Sequence, residues 1–103
     1  MKITTEEQTE VRQLCQEKFD MAMEYEKLGD ELIQLKVMKA SEWLSIRARD
    51  DVKSDTQAEK HWDRTELGLR QMEVETRMNL IKVRISAINT KIDVLNMEVR
   101  NQY

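Results

Sequence analysis

Ten positions in the C-terminal third of the chain, Leu67, Gln71, Val74, Met78, Ile81, Ile85, Ile88, Ile92, Leu95 and Val99, follow one another at alternating steps of four and three, and nine of the ten are apolar. Steps averaging about 3.5 residues keep side chains on one narrow face of an α-helix, and a face this apolar needs a second helix lying along it. A strand cannot produce the spacing, because its two faces alternate at every residue. The composition agrees. The chain has no proline, only Gly29 and Gly68 as glycines, and 36% charged residues. That balance describes long solvated helices with narrow apolar stripes, so the expected fold class is all-α.

The partner helix comes from the other end of the sequence. Thr5 and Gln8 stand at capping-box spacing, with Glu6 and Glu7 in the first turn where the helix dipole favours acids. From there Val11, Leu14, Met21, Tyr25, Leu28, Leu32 and Leu35 share one face. Cys15, Phe19, Ala22 and Ile33 are expected to widen it, and Val37, Ala40, Leu44 and Ala48 to continue it after a small drift. On this reading Cys15 is a small core residue. Gly29-Asp30 has the chemistry of a helix stop followed by a helix start, yet the stripe passes through it, so continuity is expected.

The pattern lapses between Arg49 and Gln57, where Asp50, Asp51, Lys53, Ser54, Asp55 and Thr56 mark a turn. Ser54 with Gln57, or Thr56 with Glu59, offers a cap for the next helix. The expectation is one domain over residues 1–103. Helix 1 covers about 5–48, the turn about 49–56 and helix 2 about 57–101, folded back as an antiparallel, coiled-coil-like hairpin. At about 1.5 Å per residue each helix is roughly 65 Å long. Its core is Val74, Met78, Ile81, Ile85, Ile88, Ile92, Leu95 and Val99.

Charge supports the pairing independently. Residues 5–31 hold nine acids and three bases, whereas residues 77–100 hold five bases and two acids. Residues 32–53 carry five bases against three acids, and residues 58–76 three against five. Opposite signs fall side by side only if the helices run antiparallel about the turn. Each pair is weak in water, but the pattern selects orientation and register.

A second stripe, Ala58, Trp62, Leu69, Leu80, Val83, Ala87 and Val94, lies about a third of a turn from the Ile seam. One neighbouring helix cannot cover both stripes. Another copy of the chain is the economical second neighbour, giving a dimeric four-helix bundle with Leu69, Leu80, Val83, Ala87 and Val94 as the oligomer seam.

Little in the sequence points to chemistry. His61 is the only histidine, and no second histidine or suitably spaced cysteine accompanies it, so no metal site is expected. Cys15 and His61 belong to opposite ends of the expected hairpin, too far apart for a nucleophile and its base. No glycine-rich phosphate loop is present, and neither catalytic residues nor a cofactor are expected. No stretch is long and apolar enough for a membrane span. The net charge of −3 is neither the basic balance of a general nucleic-acid binder nor extreme acidity.

The expected binding surface is the loop end, where Trp43, Arg47, Arg49, Trp62 and Arg64 gather. Tryptophan and arginine are enriched among the residues that dominate protein interfaces, so the partner expected there, besides a second copy, is another protein. The alternative is nucleic acid, with basic side chains on phosphates and indoles stacked on bases. Asp50, Asp51, Asp55, Glu59 and Asp63 interleave with those bases and cancel much of the field.

Two family resemblances bear on this. The segment from Leu35 to Tyr103 has Leu-Lys-Val-x-Lys-Ala at 35–40, Trp62-Asp63 followed by Thr65-Glu66-Leu67-Gly68, Ile-Ser-Ala-Ile at 85–88 and a terminal Arg100-Asn101-Gln102-Tyr103. It resembles small helical accessory proteins of phages and prophages. The resemblance implies a protein that works by binding a particle or host component, in the cytoplasm of a bacterial host or within a phage particle. Trp43-Leu44-Ser45 near the bend is similar to the motif of the secreted tryptophan-x-glycine helical hairpins. Here Ser45 replaces the glycine and no tyrosine-x-x-x-acid signal stands near the end, which argues against export.

Overall fold

A computed structural model describes residues 5–101 as three α-helices and no strand: α1 (Thr5–Arg47), α2 (Asp55–Arg64) and α3 (Glu66–Asn101). The all-α class is as expected. Helix α1 passes through Gly29-Asp30 unbroken and ends one residue before the expected boundary. The expected single helix 2 is corrected to two helices, divided at Thr65.

The reason for that division is local. Thr65 has an extended backbone, φ −73° and ψ 158°, and its N–H and its hydroxyl both donate to the Trp62 carbonyl, at 2.9 and 2.6 Å. The same hydroxyl oxygen accepts the Gly68 N–H at 3.0 Å. One side chain therefore closes α2 and caps α3, satisfying backbone groups that helix ends leave unpaired. Gly68 is needed beside it. A Cβ at that position would lie 1.8 Å from the Trp62 carbonyl oxygen and 2.6 Å from its carbon, so only glycine fits.

The chain divides into two compact units. The first combines residues 5–26 of α1 with residues 79–101 of α3. Ion pairs set its register: Lys91 Nζ lies 3.0 Å from Glu10 Oε1, and Arg84 Nη2 2.8 Å from Glu17 Oε1. In both pairs the two residue numbers sum to 101, so the segments run antiparallel. Leu14, Ile81 and Ile88 are buried here, and Val11, Lys18, Met21, Tyr25, Ile85, Ile92 and Leu95 are half-buried along the same seam. Val99, the last expected seam position, lies outside the described side chains.

The second unit, residues 27–78, holds the rest of α1, the turn, α2 and the start of α3. Ser54 caps α2 by accepting the Gln57 N–H at 3.2 Å, one of the two caps expected, while Gln57 Oε1 accepts the Lys53 N–H at 2.5 Å. Leu35, Val52, Ala58, Trp62 and Val74 are buried. Gln71, the one polar member of the Ile seam, accepts the Trp62 indole N–H at 2.8 Å and donates to Glu75 at 3.1 Å. A buried indole donor needs such a partner, which accounts for the exception.

The width expected of the α1 stripe is corrected. Cys15 is exposed, as are Phe19, Ala22, Ile33, Val37, Ala40, Leu44 and Ala48. Only one face of α1 is covered in each unit. In the second unit that face continues through Leu35, Lys39, Trp43 and Ile46, without the drift expected toward Val37 and Leu44. Lys39 is tolerated on it because its ammonium is held between Glu59 Oε1 and Oε2, at 2.7 and 2.6 Å.

Candidate functional site

The loop end is built from the turn after α1 and the start of α2. Val52 N–H bonds the Arg49 carbonyl at 3.1 Å, and the Val52 side chain is buried beneath this turn. Of the five residues expected to bind a partner here, Arg47 Nε donates to Asp55 Oδ1 at 3.0 Å and its Nη1 to the Val52 carbonyl at 3.3 Å. Arg49 makes a two-pronged pair with Asp51, both bonds at 3.1 Å. His61 Nε2 lies 3.5 Å from Oδ2 of that carboxylate. Desolvation pushes the Asp51 carboxyl up, but the hydrogen bonds and charge of Arg49, assisted by its own backbone N–H and by His61, outweigh it and hold the group below its ordinary value. Arg47 and Arg49 are thus paired with carboxylates of the same tip.

The two tryptophans separate. Trp62 is 1% exposed and engaged with Gln71, so it is not part of an accessible surface. Its inclusion among the surface residues is corrected, because the break at Thr65 turns the apolar side of α2 inward. Trp43 is half-buried, with the Lys39 ammonium 5.8 Å from its ring centroid, beside a shallow groove of about 230 Å³ shared with Lys36, Ala40 and Glu59. Arg64 is exposed.

The largest uncovered apolar surfaces lie on the helices. In the second unit Ile33, Val37 and Leu44 share one face of α1 and are 63%, 63% and 78% exposed. On sequence alone this face is expected to turn inward; it is corrected to an uncovered one. In the first unit the expected seam residues Leu80, Val83, Ala87 and Val94 are all exposed, and Thr90 and Met97 complete them. Positions 80, 83, 87, 90, 94 and 97 keep alternating steps of three and four, which makes this a second heptad stripe; at about 100° per residue it centres roughly 150° from the buried one, farther round α3 than the third of a turn expected. Leu69, the fifth expected oligomer residue, is also exposed and belongs to the second unit. Ala58 and Trp62, read as part of the same stripe, are buried instead.

The first unit also has an open groove of about 790 Å³ between its helices, formed by Cys15, Lys18, Phe19, Ala22, Asn89, Ile92 and Asp93. Its apolar floor follows from the exposure of Cys15, Phe19 and Ala22. Along the same side the Lys82 ammonium sits 5.9 Å from the Tyr25 ring centroid. The second unit has a charged fork of its own. Arg70 forks onto Glu31 at 2.5 and 2.7 Å, which holds the Glu31 carboxyl below its ordinary value against an upward push from desolvation, and raises Arg70.

None of the described helices is long and apolar enough to cross a membrane. No protein-family model, curated protein or solved structure matches this chain.

Proposed function

We propose that this chain is a non-enzymatic helical module that self-associates, as half of a dimeric four-helix bundle, and acts by binding another protein. The observation that carries this reading is the α3 stripe of Leu80, Val83, Ala87, Thr90, Val94 and Met97, in which the four larger apolar side chains are 47–69% exposed. Contiguous apolar patches on helices mark interaction sites, and a heptad repeat specifies another helix as the occupant. The uncovered Ile33–Leu44 face of α1, with Trp43 beside it, supplies the surface for a different protein. A phage or prophage accessory role, with a particle or host component as that protein, fits the resemblance of residues 35–103.

Sedimentation velocity tests the self-association. The unmodified protein is expected to sediment above monomer mass at micromolar concentration, and Val83→Asp to become monomeric while keeping its circular dichroism. A well-folded monomer of the unmodified chain throughout that range overturns the reading. The alternative partner, nucleic acid, is less favoured at the tip because Arg47 and Arg49 are engaged by Asp55 and Asp51.

A further inference from the structure

We infer that the second copy docks on α3 antiparallel to the first, with a two-fold axis passing between Ala87 and Thr90. This deepens the self-association proposed above and rests on it. The first argument is the order of sizes along the stripe: Leu80, Val83, Ala87, Thr90, Val94, Met97 runs large, medium, small, small, medium, large. Turning the helix end for end about its midpoint sets Leu80 against Met97 of the second copy, Val83 against Val94, and Ala87 against Thr90. The small pair at the centre lets the helices approach closely there, and the larger pairs fill the ends.

The second argument is electrostatic. In an antiparallel pair each flank of one stripe meets the same flank of the other. On one side this brings Arg84 beside Lys91 of the second copy, a like-charge contact that would oppose docking. Both cations are already held within their own copy, Arg84 by Glu17 at 2.8 Å and Lys91 by Glu10 at 3.0 Å. Each cation is therefore compensated within its own copy, which weakens the repulsion between them. On the opposite flank Ser86 faces Asp93 of the second copy, a hydroxyl donor toward a carboxylate. A parallel pair instead sets Asp93 against Glu98 of the second copy, acid on acid across the flanks, with no compensating pair.

Disulfide trapping reads the orientation directly. Cys15, which is exposed, is first replaced by serine, and Val83→Cys and Val94→Cys are then made separately. In the antiparallel arrangement neither variant cross-links to itself, because like positions are 11 residues apart along the axis, about 16 Å. Mixing the two is expected to give a cross-linked dimer on mild oxidation. If Val83→Cys cross-links to itself as readily as to Val94→Cys, the pairing is parallel and the inference is overturned. If the protein sediments as a dimer but no combination cross-links, another face forms the dimer and the inference also fails while self-association stands. A monomer in sedimentation overturns the self-association itself, so the two failures are distinct.

Discussion

Among the described residues, the first unit buries Leu14, Ile81 and Ile88, all aliphatic and all on heptad seams, whereas the second buries Leu35, Val52, Ala58, Trp62 and Val74, drawn from three helices and a turn. The first is a helix pair and nothing more. Two helices side by side cover only one face each, so Phe19, Leu80, Val83 and Val94 stay in water. In the second, α2 adds a third surface, and with it come a large aromatic side chain, a polar partner for its indole and two caps on one threonine. A small helix pair has little core of its own to hold it.

Removing the aromatic anchor should produce the largest contrast between the units. Trp62→Ala is expected to cost about 3–5 kcal/mol as a truncation of a fully buried side chain, and to leave Gln71 without its donor. Hydrogen exchange should show lost protection over Asp55–Arg64 with protection retained near Ile88. Equal loss in both places would mean that the two units unfold as one and would break the comparison.

The two glycines sharpen it, with opposite signs. Gly68→Ala forces a methyl into the Trp62 carbonyl and is expected to destabilise by about 1–3 kcal/mol, read as a lower denaturant midpoint. Gly29 sits inside α1, where a Cβ would meet only the Met78 Cε, at an ordinary 3.8 Å. Gly29→Ala should therefore stabilise by about 0.5–1 kcal/mol, the helical cost of glycine relative to alanine, read as a higher midpoint. A loss of stability at Gly29 would show that close packing, rather than helix propensity, governs that position.

The smallest effect concerns acid. The folded carboxyl of Glu31 lies below its ordinary value of 4.5, so the stability its pairing with Arg70 contributes is present above that pH and lost as the pH falls through the folded value. Glu31→Gln should flatten the dependence of stability on pH in that window and leave the neutral-pH fold intact. An unchanged acid limb would assign the dependence to other carboxylates.

The all-α class, the turn and the buried seam were legible because they depend on spacing alone. Val74, Ile81 and Ile88 repeat without interruption, and nothing else on α3 competes for that face. The ends of α2 were harder. Ser54-x-x-Gln57 was readable as a cap, but Thr65-x-x-Gly68 lacks the acid or amide that would mark a capping box, and its meaning comes from contact between two backbones. The same break hid the burial of Trp62, since a continuous helix would have placed it with Leu69 on the outer stripe. On α1 the apolar residues Val37 and Leu44 competed with Lys39 for the inner face, and the covered face runs through Leu35, Trp43 and Ile46, with Lys39 accommodated by its ion pair to Glu59, 20 residues away. The rungs from Glu10 to Lys91 and Glu17 to Arg84 are present in the heptad spacing of both charge series, a detail that net sums of charge do not carry.

Thr65 also constrains how this sequence can change in length. Because α2 ends and α3 begins on the same residue, no linker lies between them to absorb an insertion or deletion. One residue added there would rotate everything downstream by about 100° relative to α2. Gln71 would swing away from the Trp62 indole, and Val74 would leave its buried place. Length variation is therefore tolerable in the turn before Ser54 and not at Thr65, so substitution is the only change open to this junction.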